Sequence, residues 1–414
     1  MPLLESSIPS RTRTALAWNT AGVAVKTTLG FVRFVLLSRW LPVSAFGLMA
    51  TSQAITGITL PIAVLGSAGA YLVLHKSANS AEERALQDSF FFLRISLLGL
   101  WVLICGLIAL LFLPPTERWV LVSLAVIRAV ADVSLIPKII EVGKLETQKQ
   151  SLSMVGESLV YLLIGLPIAW LWRNVWALLV GEFAVALFAF WFFFAWQKVW
   201  LPSRQASRYW VKNLLNTGSK IMFNVVLRRL LDQIDDLWVR WQLGVHAIGI
   251  YNRAYQLADM PATIFETIGS TVVFSSYTAY QQDFLRLRRH YLKMNAYALL
   301  VSVPIAVAGW FLLPSAVTLF LGTQWVESIP VLRWMAIFMA LQPLRMTSEN
   351  IFDATKTSKK LTVLRVTQLL LMLTSFFTMQ FLGMGLIGIA ISVDITIGIG
   401  VVICFFYALM QMKS

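Results

Sequence analysis

Apolar runs long enough to cross a hydrocarbon core of about 30 Å recur from near the first residue to the last, separated by short polar links. That recurrence leaves no stretch in which a soluble domain could form. With 58% of its 414 residues hydrophobic and 13% charged, the chain lies far from the composition of a soluble globular protein. The expected class is all-α and polytopic, with twelve spans centred near residues 25, 57, 101, 127, 163, 187, 227, 263, 302, 338, 370 and 396. The seventh is the hardest to recognise, because it carries the most charge. The leading stretch "MPLLESSIPSRTR" lacks the layout of a signal peptide, so the first span is expected to be permanent.

The formal net charge of +14 follows a topological pattern. Counted from an inside N-terminus, the inner links hold most of the Lys and Arg residues, including Lys138, Lys149, Arg286, Arg345 and Lys360. The outer links hold only Arg39, Arg118, Arg173 and Arg240. Both termini are therefore expected on the cytoplasmic side. No soluble basic domain exists to bind nucleic acid. Cys105 and Cys404 each fall in an apolar span and read as small buried hydrophobes. His75, His246 and His290 are scattered without metal-ligand spacing, so no metal site and no cofactor is expected.

"LPVSAFGLM" from Leu41 aligns with "LGVHAIGIY" from Leu243 at an offset of 202 residues. Upstream, "WNTAG" at Trp18 resembles "LNTGS" at Leu215 at nearly the same offset. The chain reads as two six-helix bundles, 1–205 and 206–414, joined through the basic link 197–212. An even number of spans in each half makes them parallel repeats, and a cleft between them is the expected ligand site.

Charges inside the spans carry the functional signal, since each costs about 2.5–3.5 kcal/mol at a helix centre facing lipid. Asn19, Lys26 and Arg33 are seven apart and share one stripe of span 1. In "NVVLRRLLDQIDDLWVRW", residues 224–241, Asn224, Arg228, Asp232, Asp235 and Asp236 lie on one side and Phe223, Val226, Leu230, Ile234, Leu237 and Trp241 on the other. Span 8 repeats the pattern with Asn252, Gln256, Asp259, Thr263, Glu266 and Ser270. Substrate-facing roles are expected for Asn19, Lys26, Arg33, Asn224, Arg228, Asp232, Asp235 and Gln256. Asp132, Glu157, Asp259 and Glu266 are candidates for coupling to a proton or sodium ion, against the simpler role of hydrogen bonding between helices. Span 4 offers Arg128 and Asp132, four apart, and span 5 offers Glu157, and for these two spans structural pairing between helices weighs at least as much as substrate contact. Arg94 and Arg365, near span ends, are expected to snorkel to the interface. Tyr251, Tyr255 and Trp238 are available to sugars, although most aromatic residues in such a chain are core or interface belt.

Three further stretches, "LSRWLPVSAFGLMA" at 37–50, "GVHAIGIYNRAYQLADMPATIF" at 244–265 and "LFLGTQWVESIPVLRWMAIF" at 319–338, together with the basic link 136–157, resemble the polysaccharide transporter family. Those are the Wzx-type O-antigen and colanic-acid flippases of the multidrug/oligosaccharidyl-lipid/polysaccharide (MOP) exporter superfamily. The resemblance implies a MATE-like fold, no enzymatic activity, and an inner-membrane flippase for surface-polysaccharide biosynthesis. Its substrate would be an oligosaccharide on a polyprenyl diphosphate carrier, moved by alternating access, with a glycan polymerase complex as a possible partner. Arginine suits that anionic cargo because its planar fork binds phosphate oxygens bidentately. "GTQWVESIPVL" is expected to shape a turn and helix start through Gly322 and Pro330. The alternatives are a cation-coupled multidrug exporter of the same superfamily, a membrane-bound glycan polymerase or ligase, and a scaffold for glycan assembly.

Overall fold

A backbone surrounded by lipid must satisfy its polar groups within its own segment, and long runs of Leu, Ile, Val, Ala and Phe do this as helices. The computed structural model describes residues 10–143, 148–197, 202–203, 205–355 and 357–411, and among them the only regular structure is helical. The α-helices are α1 (Ser10–Trp40), α2 (Val43–Ala63), α3 (Ser67–Leu74), α4 (Ser80–Phe112), α5 (Pro115–Gly143), α6 (Gln148–Val160), α7 (Leu166–Trp172) and α8 (Val175–Trp191). They continue with α9 (Arg208–Ala279), α10 (Phe284–Ala316), α11 (Ser328–Ala354), α12 (Ser358–Phe381) and α13 (Gly385–Gln411). Single π-helical turns follow α6, α8 and α10, at Tyr161–Gly165, Phe192–Trp196 and Val317–Leu321.

Each of the twelve expected centres falls inside a helix. Among the described residues, eight segments are long and apolar enough to cross a membrane: α2, α4, α5, α6 through α7, α8, α10, α12 and α13. The remaining limbs are α1, the two halves of α9, and α11. These hold the polar stripes of spans 1, 7 and 8 together with Arg333, Arg345 and Glu349. Large apolar side chains cover the outside, with Leu103, Phe112, Leu163 and Phe381 between 72% and 92% exposed. Such a surface is stable only against acyl chains.

The 72 residues of α9 are two helices, broken at Gly244 (φ 89°, ψ −177°). In a straight helix, residues 16 apart would be separated by about 24 Å. Instead the Tyr251 hydroxyl donates to Asp235 at 2.7 Å, and the Asn252 amide donates to Asp236 at 3.1 Å. Both pairs straddle Gly244, so the two limbs form an antiparallel hairpin with its elbow at that residue. The repeated stretches seen in the sequence sit at equivalent places. Leu41–Pro42 joins α1 to α2, and Leu243–Gly244 joins the limbs of α9.

Helix ends follow their sequence signals. Asn79 and Glu82 form a capping box at α4, Asn174 accepts from the Trp176 and Ala177 amides at α8, and Asp283 accepts from the Arg286 amide at α10. Gly322 (φ 100°) ends the π turn before α11, and Ser328 closes on the Trp325 carbonyl at 2.6 Å. With Pro330 in the first turn of α11, "GTQWVESIPVL" makes the expected turn and helix start.

The chain divides into two compact units, Met1–Val226 and Leu227–Ser414, so the division falls inside α9 rather than at 205–206. The reason is local. Asp88 of α4, fully buried, accepts hydrogen bonds from the Ser203 amide, the Ser203 hydroxyl and the Gln205 amide. The link is thereby fastened to the first unit. Gly218, near the start of α9, packs against the Leu65 and Gly66 carbonyls, where any β-carbon would collide with backbone. The first unit has a core around Tyr71, Leu86, Phe90, Ile136 and Leu214, and the second around Tyr277, Leu287, Tyr291, Phe352 and Cys404. Cys105 and Cys404 are both buried free thiols.

Candidate functional site

In the first unit, the π turn after α6 sets Tyr161 in a notch between Gly165 and Gly181. A β-carbon at either glycine would lie 2.7–2.9 Å from the ring, so only glycine admits it. The ring carries the Arg33 guanidinium 4.3 Å above its centroid, and Glu182 lies 3.8 Å from the same guanidinium. Arg33 remains 41% exposed. The site thus holds a cation in a fixed place while leaving it open to a partner. Lys26, two helical turns earlier on α1, is exposed; the side chain of Asn19 lies outside the described residues.

Three other ion pairs of this unit, Arg94–Asp132, Lys138–Glu157 and Lys149–Glu141, join one helix to the next. Arg94 is 2% exposed and grips Asp132 of α5 through Nε at 2.6 Å and a terminal nitrogen at 2.9 Å, with Ser67 at 3.1 Å. Asp132 is therefore paired between helices, and Arg94, expected to snorkel, does not. Burial forces this, because a guanidinium inside the bundle must find a carboxylate. Lys138 lies within α5, where its ammonium donates to Glu157 at 2.7 Å, and the Ser153 hydroxyl donates to the same oxygen at 2.6 Å.

In the second unit the α9 hairpin turns its acids inward. Asp235 is 2% exposed and accepts from Tyr251, while Asp236, Asn252 and Gln256 form a chain that ends on Arg253. Asp232 is half-buried and lies 3.4 Å from Arg345 of α11 and 3.9 Å from Arg228. Arg345, expected in a cytoplasmic link, is thus part of the bundle. Arg365, expected to snorkel, is buried and donates to Glu349 at 2.7 Å. Asp259 accepts from Thr263 at 2.9 Å, and the side chain of Glu266 lies outside the described residues. Arg228 and Arg229 stay exposed on the first limb, and Asn224 is half-buried.

Tyr251 is fully buried, Tyr255 packs at a tilt on Phe338, and Trp238 packs on Phe376 and Phe377, so these aromatics belong to the core. A water-sized cavity of about 10 Å³ lies between Asp232, Tyr255, Arg345, Gln368 and Thr396. One further group went unnoticed in the sequence: Asp394 of α13, 6% exposed, with neither carboxylate oxygen hydrogen-bonded among the described residues. Its signal was a single acid in the apolar run "GLIGIAISVDITIGIGVV". Among the described residues no group of three His, Cys, Asp or Glu side chains could hold a metal ion.

Residues 36–330 match the model of a family described as "Polysaccharide biosynthesis protein". The chain is 26% identical to the teichuronic acid biosynthesis protein TuaB of Bacillus subtilis over 148 residues, which is 36% of this chain and 31% of that protein. It is 22% identical to the lipopolysaccharide biosynthesis protein WzxC of Escherichia coli over 346 residues, 80% of this chain and 67% of that protein. Among solved structures, the lipid II flippase MurJ in an inward closed conformation superposes with a TM-score of 0.75 at 16% identity. That superposition covers 96% of this chain and 87% of MurJ. An inward-facing multidrug resistance MATE family transporter of the MOP superfamily gives 0.70 at 15% identity, covering 95% and 98%. The family match over most of the chain places the protein in the polysaccharide biosynthesis protein family, and the superpositions show that it shares the fold of MurJ and of the MATE family transporter.

Proposed function

We propose that this protein is a flippase that carries a polyprenyl-diphosphate-linked oligosaccharide from the inner to the outer leaflet of the bacterial cytoplasmic membrane, by alternating access of two six-helix bundles. The observation that carries the reading is the opposite placement of acids and cations. In the α9 hairpin Asp235 and Asp236 accept hydrogen bonds from Tyr251 and Asn252 across the turn, while Arg228 and Arg229 stay at the surface. On α1, Lys26 and Arg33 are likewise accessible. Accessible cations with internally engaged acids suit an anionic diphosphate. In this reading Lys26, Arg33 and Arg228 contact phosphate oxygens, Asn19 and Asn224 contact the glycan, and Asp232, Asp235 and Gln256 position the arginines. Both termini are cytoplasmic, and the product is used in making a surface polysaccharide such as O-antigen or an exopolysaccharide. A glycan polymerase complex would receive it.

The competing reading is a cation-coupled multidrug exporter. A binding surface for organic cations should present carboxylates, and the arrangement of charges here favours the reverse. Reconstitution into vesicles decides. Under the proposal, a fluorescent lipid-linked oligosaccharide changes leaflet in a protein-dependent way. Extrusion of an organic cation with no movement of the glycolipid would establish the rival instead.

A further inference from the structure

Asp394 sits in the middle of α13 and is the only ionisable residue of that helix before Cys404. Its side chain is well over nine-tenths buried, and both carboxylate oxygens lie in the interior without a hydrogen-bond partner among the described residues. The backbone of α11 at Phe338 lies beside it. On the other side, α12 is fixed in register by two contacts: the Ser375 hydroxyl donates to Ser392 at 2.8 Å, and the Gln368 amide lies against Gly400. Asp394 is thus level with Leu369–Thr374, a stretch with no ionisable group.

The charged groups around it are engaged elsewhere or distant. On α11, Arg333 is exposed and five residues from Phe338. Arg345 is seven residues away, about 10 Å along the axis, and faces Asp232; Glu349 is further on and faces Arg365. On α12, Arg365 lies beyond Gln368 and is held by Glu349. From α9, Tyr255 packs on Phe338, and Asp232 lies across the small cavity. No cation among the described residues forms an ion pair with Asp394.

Few arrangements satisfy a carboxyl in such a place. A metal ion would need several oxygen ligands, and the α12 stretch at this level offers Leu and Met side chains and a single Thr. An ionised carboxylate without a partner is strongly disfavoured there, whereas a neutral acid needs only one acceptor, which a helix carbonyl of the preceding turn supplies. Val393 and Thr396, on either side of Asp394 in sequence, line the small, mainly apolar cavity that borders Asp232, Arg345 and Gln368, while Asp394 itself does not line it.

We infer that Asp394 is a proton-binding site within the second unit, and that its protonation couples a proton gradient to transport. The carboxylate takes a proton from water, forming one O–H bond and leaving the neutral acid; unloading returns the proton to water and restores the carboxylate. The coupling role rests on the transport reading above, while the proton site itself does not.

Two measurements on the full-length protein in lipid vesicles test this separately. Isotope-edited infrared difference spectra between wild type and Asp394→Asn at neutral pH should show the carbonyl band of a protonated acid that the variant lacks. Absence of that difference means the acid is ionised and overturns the proposal. In transport, one proton per substrate gives about tenfold accumulation per unit of pH gradient, and Asp394→Asn should accumulate nothing while still exchanging labelled glycolipid across the vesicle. Full accumulation by the variant, or accumulation driven by sodium at equal pH and lost in the variant, overturns the proton assignment. If wild type shows the infrared band yet moves no glycolipid, the proton site stands and the flippase reading fails.

Discussion

Arg94 and Asp132 meet through two parallel hydrogen bonds, 2.6 and 2.9 Å long, that join α4 to α5 inside the first unit. Because the arginine is 2% exposed, neither partner can turn to water when the other is removed. Arg94→Leu or Asp132→Leu alone should lower stability by about 3–5 kcal/mol by stranding a buried charge, whereas the double variant should recover most of the loss. Thermal unfolding in detergent across the three variants checks this. Equal losses in single and double variants would show that packing, and not the ion pair, matters at this point.

The notch that holds Tyr161 makes a functional prediction. Tyr161→Phe keeps a ring beneath Arg33 and should transport normally. Tyr161→Leu removes a cation–π contact of about 1–2 kcal/mol and should slow glycolipid translocation roughly 5- to 30-fold. Gly181→Ala, which displaces the ring, should resemble Tyr161→Leu. Initial rates in proteoliposomes report the difference, with infrared or circular dichroism spectra confirming an intact helical fold.

Lys26→Ala and Arg228→Ala should each reduce transport while the protein still inserts at normal levels. Arg33→Lys should also be impaired, since a lysine offers a point charge in place of the planar fork. Full export by all three variants would remove these positions from substrate handling.

Gly244 and Gly30 form a matched pair for testing backbone strain. A β-carbon meets nothing within 4 Å at either site, but only Gly244 has a left-handed φ, at +89°. Gly244→Ala should cost about 1–3 kcal/mol, whereas Gly30→Ala, inside α1, should be neutral or stabilise by up to about 1 kcal/mol. Melting temperatures of the two variants make the comparison.

Asp88→Ala removes the acceptor of three hydrogen bonds from the 203–205 link. Limited proteolysis should then cut near Ser203–Ser207 faster than in wild type, while transmembrane segments remain protected. Asp88→Asn should give an intermediate rate, because the side-chain oxygen is kept and the charge is not.

The helical class and the span centres were legible because apolar runs of this length have one stable outcome in lipid. The turn at Gly322 and the helix start at Ser328 were legible for a similar reason, since local chemistry decides them. What stayed hidden depended on partners far away in sequence. Arg94 and Arg365 looked like interface residues by position, and only the fold brings Asp132 and Glu349 to them. Arg345 looked like part of a link because the end of α11 is polar, and its place beside Asp232 follows from helix packing. Asp235 and Asp236 were visible as a polar stripe, but the hairpin that buries them requires the single dihedral at Gly244, which a one-dimensional pattern does not display.

That elbow also bears on how the chain enters the bilayer during synthesis. The first limb of α9 carries Asp235 and Asp236, whose hydroxyl and amide donors, Tyr251 and Asn252, are translated only after the turn. Neither limb makes these hydrogen bonds alone, so the polar groups of the first limb gain their partners only once the second has folded back beside it at Gly244, and the two behave as one staple.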